Sequence, residues 1–141
     1  MLHVAIQRPE WTIGDLYSKD VLCRCSIRAI PPFDRVEPGD TVFLKWSGGP
    51  IVARGRVRDS TSIEYDSVEE VRELCKTYPL YELEEFWKAM RGRRYATVVE
   101  LQDVEKLERP IIPKTRSAGS GWIVLDTSEK QELWLGPSRQ A

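Results

Sequence analysis

Apolar and polar positions alternate most cleanly between Thr41 and Arg58. In TVFLKW, Val42, Leu44 and Trp46 share one face, and Ser47-Gly48-Gly49-Pro50 then breaks the run. In IVARGRVR, Ile51, Ala53, Gly55 and Val57 fall on one side, with Val52, Arg54, Arg56 and Arg58 on the other. This pattern predicts a strand–turn–strand unit, entered through the Val36-Glu37-Pro38-Gly39-Asp40 turn. Shorter apolar runs predict strands over Leu2 to Ile6, Val21 to Arg28, Tyr95 to Val104 and Trp122 to Leu125. Tyr95, Thr97, Val99 and Leu101 are expected to share a face, and Glu132 to Leu135 is a further candidate strand.

Helical spacing appears in two places. Ser67-Val68-Glu69-Glu70 fits a capping box, followed by Val68, Val71, Leu74, Cys75 and Tyr78 up to Pro79. Leu83, Phe86, Trp87 and Met90 predict a second helix over Tyr81 to Arg91, closed by Gly92. Glu10 to Lys19 fits a helix or an irregular segment, and Pro110 to Gly121 reads as a loop rich in Pro, Ser and Gly. Short strands around a helical insertion point to an α+β domain on a curled or closed sheet. No internal repeat is evident. One domain over residues 1–141 is expected, with the insertion at about 67–92 and a C-terminal tail at about 126–141.

Composition narrows the function classes. The 141 residues are 41% hydrophobic and 30% charged with a net charge of −1, an ordinary balance for one buried core. A surface that coats duplex nucleic acid is usually strongly basic, so any nucleic-acid contact is expected at a local site. No apolar run approaches a membrane span, and MLHVAIQRPEW lacks the basic start and long apolar stretch of a secretory leader. Three cysteines, Cys23, Cys25 and Cys75, without a leader suggest free thiols in a reducing cytoplasmic setting. With His3 they supply four soft ligands, but their spacing lacks a local zinc pattern, and no metal or other cofactor is expected. Cysteines that fill the core face of a strand fit better.

Catalytic motifs are sparse. One histidine, at position 3, builds no Ser/His/Asp triad, and Ser47-Gly48-Gly49 lacks the lysine of a phosphate loop. Glu69/Glu70 and Glu84/Glu85 are adjacent acids that point in different directions on a helix, as solvated faces do.

The order of residues from Lys19 to Ser26, then Pro32-Phe33, then VEPGDTVFLKWSGGPIVARGRV, resembles the ASCH branch of the PUA-like superfamily. ASCH proteins open with Gly-x-Lys-x-x-Glu-x-Arg, continue through a Pro-Gly-Asp turn, and then run strand, glycine turn, strand. Lys19, Arg24 and Pro38-Gly39-Asp40 match. FWKAMRGRRYATVVEL and GWIVL look like the later helix and strands, so the resemblance spans about Lys19 to Leu125. Two positions depart from the pattern: Tyr17 stands for the glycine and Leu22 for the glutamate.

The resemblance implies a PUA-like β-barrel with a helical insertion. It also extends to the EVE and YTH domains, which hold modified bases in a pocket. That implies an RNA or modified-nucleotide partner, with Trp11, Trp46 and Tyr95 as candidate aromatic walls and Ser26, Ser47 and Gly48 as polar contacts. Lys19, Arg24, Lys45 and Arg54 are the candidate phosphate cations. The alternative that the family implies is a small hydrolase, acting on an acylated nucleoside or as a ribonuclease. It would use Lys19 with a carboxylate such as Glu84 or Glu85, since Leu22 offers no acid. A protein-interaction domain using the Pro110 to Gly121 loop is a third reading.

Overall fold

The structure is a computed structural model that describes residues 1–12, 15–18, 20–116 and 121–137. Six strands form one curled, mixed sheet: β1 (Leu2–Gln7), β2 (Val21–Ser26), β3 (Thr41–Trp46), β4 (Ile51–Glu64), β5 (Tyr95–Ile111) and β6 (Trp122–Leu125). Their spatial order is β2-β5-β4-β3-β1-β6, so β2 and β6 are the two edges of a half-barrel. The β1–β3 pair is parallel and every other pair is antiparallel.

The curl originates in the two longest strands. β4 and β5 extend 14 and 17 residues, well past the predicted Arg58 and Val104. Their pairing shifts register between Ile51 and Ala53, Arg54 and Arg56, and Val57 and Asp59. Each shift adds local twist and bends the sheet toward closure. Gly55 sits in this bent region, where a Cβ would lie 2.8 Å from Val104 Cγ2. A side chain at position 55 would therefore have to displace Val104 on β5.

Three helices cover the sheet: α1 (Val68–Leu74), α2 (Glu84–Met90) and α3 (Ser128–Leu135). Ser67 caps α1 in a complete capping box with Glu70. The predicted continuation of α1 to Tyr78 stops at Cys75, and a 3₁₀ turn over Pro79–Glu82 takes up the start of the expected second helix. Proline supplies no N–H and fixes its own φ, so it begins a new turn rather than extending the old one. Among the described residues of the Glu10 to Lys19 segment, two 3₁₀ turns form, Pro9–Trp11 and Leu16–Ser18, in keeping with the irregular alternative. Glu132 to Leu135 is helical, not a strand, because Thr127 caps the segment by accepting from the Lys130 N–H at 3.1 Å. The expected tail is thus partly a packed helix, with Trp134 and Leu135 buried. The expected loop at Pro110 to Gly121 begins later, since β5 runs through Ile111.

Three apolar layers result. Ala5, Leu22, Leu44, Val57, Val99, Leu101 and Trp122 fill the inside of the half-barrel. On the other side of β2 and β5, Cys23, Cys25, Ala96 and Val98 pack with Tyr65, α1 and α2. Val4, Phe43, Ile51 and Leu125 pack with α3. β5 is consequently buried on both faces from Ala96 to Val99, and the alternation holds there, with Val99 and Leu101 inside the half-barrel and Ala96 and Val98 against the helices.

Candidate functional site

A cavity of about 650 Å³ opens along the free edge of β2. Its walls come from the end of β1, the Pro9–Trp11 turn, β2, the Pro31–Pro32 corner, the segment around α2 and the start of β6. That volume lies in the range of small-molecule sites, with room for more than a nucleobase.

Arg24 crosses the mouth of the half-barrel. Alternation on β2 sends Arg24 away from the Cys23/Cys25 face, toward β1 and β6. Its guanidinium donates to the Ile6 carbonyl at 2.9 Å, the Cys23 carbonyl at 3.2 Å and the Gln7 side-chain oxygen. It also lies 5.6 Å from the Trp122 ring centroid. Burial lowers its pKa to about 10, and it remains a cation. Its acceptors among the described residues are neutral, so its charge is oriented but not neutralised by them.

Two more arginines line the cavity. Arg93 donates to the Cys25 carbonyl at 2.8 Å, and Arg8 lies 5.0 Å from the Trp11 ring and 3.9 Å from Glu10. Asp20 is the acidic side chain among the described lining residues, so three arginines face one carboxylate. Thr12, Gln7, Ser26 and Ser47 add short hydrogen-bonding groups. Tyr78 donates to Glu100 at 2.5 Å, which pushes the phenol up to about 12 and the carboxyl down.

The opposite wall is apolar. Trp11 meets Phe86 edge-on at 5.7 Å, and Phe86 meets Trp87 in the same way at 4.9 Å. Met90 and Leu80 extend this surface. Across the cavity stands Trp122, whose indole N–H donates to His3 Nδ1 at 3.1 Å, while His3 Nε2 lies 2.8 Å from Asp40. Flat aromatic faces and cationic groups therefore line the same space.

No family model and no curated protein matches the sequence. Solved structures do. ASCH from Zymomonas mobilis aligns with a TM-score of 0.61 at 15% identity, over 99% of this chain and 96% of that one. A Ser-to-Ala variant of that protein gives 0.62 at 16% identity, over 93% and 92%. The chain has the ASCH fold. The N-terminal domain of McrB from Staphylothermus marinus gives 0.59 at 10% identity, over 97% and 94%. The half-barrel is the α+β, PUA-like architecture that the order of residues resembles.

Within this ASCH fold the residues singled out from sequence fall into three groups. Trp11, Arg24, Ser26 and Ser47 line the cavity. Lys19 lies outside the described residues. The others are placed elsewhere. Lys45 is half-buried, donates to the Trp46 carbonyl at 3.2 Å, and has its pKa lowered by burial. Trp46 packs against the barrel interior, and Gly48 forms the β3–β4 turn with φ +77°. Arg54 is on the outer face of β4, donating to Glu105 at 2.8 Å. Tyr95 packs edge-on against Phe33 at 5.1 Å. Glu84 is bound by Arg72 and Glu85 lies 3.5 Å from Lys88, both away from the cavity. Leu22, at the family's glutamate position, is buried inside the half-barrel.

Sequence reasoning missed Gln7, Arg8, Arg93 and Trp122. Arg93 carried a signal within MRGRRY and Trp122 within GWIVL, but both lie far along the chain from Arg24. Only the folded sheet brings them together.

Proposed function

We propose that this protein is a nucleic-acid-binding module that holds one nucleotide of RNA, or a modified nucleobase, in the cavity beside β2. The observation that carries this reading is the presence of Arg24 and Trp11 on the walls of one cavity. Arg24, held by acceptors that are neutral among the described residues and steadied 5.6 Å from the buried Trp122 ring, offers an anion partner, and the half-buried Trp11 offers a stacking face. Arg8 and Arg93 extend the positive rim toward flanking phosphates. A domain of net charge −1 that confines its cations in this way suits a single-nucleotide contact better than a long duplex.

The hydrolase alternative draws no support from Glu84 and Glu85, because both face cations outside the cavity. Binding of short single-stranded RNA and of a panel of modified nucleosides, followed by calorimetry, tests the proposal. Trp11→Ala is expected to weaken binding roughly 5- to 150-fold, stacking being worth about 1–3 kcal/mol per base. Arg93→Ala should weaken it as well, and Arg54→Ala and Lys45→Ala should leave it unchanged. Absence of binding by the wild type, or equal losses inside and outside the cavity, would sink the proposal.

A further inference from the structure

Around Cys25 the free edge of β2 presents hydrogen-bond donors and no free acceptor. The Leu101 N–H bonds to the Asp20 carbonyl at 2.7 Å, and the Ser26 carbonyl accepts from the Arg94 N–H at 3.0 Å. Such bonds alternate along an antiparallel ladder, so the even-numbered residues of β2 are the ones bonded to β5. The backbone groups of Cys23 and Cys25 therefore point the other way, along the edge that borders the cavity. Their carbonyls are already occupied. Arg24 Nη1 donates to that of Cys23 at 3.2 Å, and Arg93 Nη1 to that of Cys25 at 2.8 Å. Between these two carbonyls along the edge lies the Cys25 N–H, which has no acceptor among the described residues.

A peptide strand docking here would need the Cys23 and Cys25 carbonyls for its own N–H groups, and both are taken. An anion needs only donors. The Cys25 N–H stands between two guanidiniums whose acceptors among the described residues are all neutral: the Ile6, Cys23 and Cys25 carbonyls and the Gln7 side chain. Asp20, the acid on the cavity wall, is five residues back along the chain, about 16–17 Å from Cys25 in extended backbone. We infer that this stretch of edge is a subsite for a terminal phosphate, so that the cavity takes a phosphorylated chain end or a mononucleotide rather than an internal nucleotide. The inference rests on the nucleotide reading of the cavity and adds which part of the nucleic acid enters it.

Charge and oxygen count favour the chain end. A phosphodiester inside a chain carries a single negative charge and only a pair of free oxygens. A terminal phosphomonoester carries about −1.5 to −2 at pH 7 and three strong acceptor oxygens. Three donor groups in a row, two of them cationic, match the monoester. The planar fork of arginine suits phosphate, and hydrogen bonds between two charged groups are stronger than neutral ones. Arg24 and Arg93 are already tied to the backbone carbonyls of β2, so less side-chain freedom is lost when a phosphate arrives. The Trp11 ring remains available to the base.

Short single-stranded RNAs of one sequence, ending in a 5′-phosphate, a 3′-phosphate or hydroxyls alone, test this by calorimetry on the full chain at fixed salt. One of the phosphorylated RNAs should bind roughly tenfold or more tightly than the hydroxyl-ended one, and which of them does so identifies the end. Arg93→Gln should remove most of that preference, Arg93→Lys should keep part of it, and Arg54→Gln, on the outer face of β4, should leave it intact. Inorganic phosphate titrated into the wild type should move the Cys25 backbone amide signal ahead of the rest of β2. Equal binding of the three RNAs would overturn the inference while leaving nucleotide binding in place. A Cys25 amide that phosphate does not move would overturn it as well. Failure of every RNA and nucleoside to bind, with phosphate still moving Cys25, would instead remove the nucleotide reading and keep the phosphate subsite.

Discussion

The indole N–H of Trp122 donates to Nδ1 of His3, and this decides which nitrogen of a fully buried histidine carries the proton. With Nδ1 accepting, Nε2 must be the protonated nitrogen, and it donates to Asp40 Oδ2 at 2.8 Å. A second proton would have to enter Nδ1, where it would face the indole N–H of a cavity wall. Burial lowers the His3 pKa despite the opposing pull of Asp40.

Stability should therefore fall with pH in a defined order. A histidine depressed in the folded state is protonated first in the unfolded chain, so stability drops as pH falls below 6.5 toward the lower folded value. Burial pushes Asp40 up, but hydrogen bonds from His3 and the Glu37 N–H outweigh it and hold the carboxyl below 3.8. Its contribution is lost only at more acid pH. Urea midpoints between pH 8 and 5 check the first step, and His3→Gln should flatten that slope.

Removing Arg24 should cost stability as well as ligand. Arg24→Ala leaves the Ile6 carbonyl and Gln7 without their donor across the open side of the half-barrel. Hydrogen bonds to charged groups contribute roughly 1.5–3 kcal/mol, and a loss of that order is expected in urea unfolding. Arg24→Lys should recover part of it, because an ammonium keeps the charge but not the planar fork.

Gly55 and Val104 should behave as a coupled pair. Gly55→Ala places a methyl 2.8 Å from Val104 Cγ2, an overpacking expected to cost about 1–3 kcal/mol. Adding Val104→Ala should return much of that loss, so the double-mutant cycle should be non-additive.

The α1 cap gives a smaller effect. Ser67 accepts from the Glu69 N–H, and Glu70 accepts in turn from the Ser67 N–H at 3.0 Å. Ser67→Ala should lower stability by roughly 0.5–2 kcal/mol in thermal or urea unfolding.

Local chemistry was legible where one interaction decides the structure. The Ser67 capping box, the Ser47–Pro50 turn and the alternation from Ile51 to Val57 all appear in the fold as their residues imply. Alternation on β5 also holds, but both of its faces are buried, by the half-barrel on one side and the helices on the other. The short apolar run at the C-terminal end suggests a strand, where Thr127 capping and the burial of Trp134 favour α3. The cavity was the least legible part. Arg24, Arg93 and Trp122 approach one another only because β2 and β6 are opposite edges of a curled sheet, which no local pattern encodes.

The five tryptophans allow the most direct test of where a ligand sits. All five pack with the three apolar layers, but Trp11 and Trp122 also line the cavity, and Trp46, Trp87 and Trp134 do not. Indole N–H signals followed by nuclear magnetic resonance, during titration with a short single-stranded RNA or a bound modified nucleoside, separate these groups. Shifts concentrated on Trp11 and Trp122 are predicted, with the other three signals nearly still. Shifts led by Trp46 or Trp134, with Trp11 and Trp122 unmoved, would contradict a nucleotide in the β2 cavity.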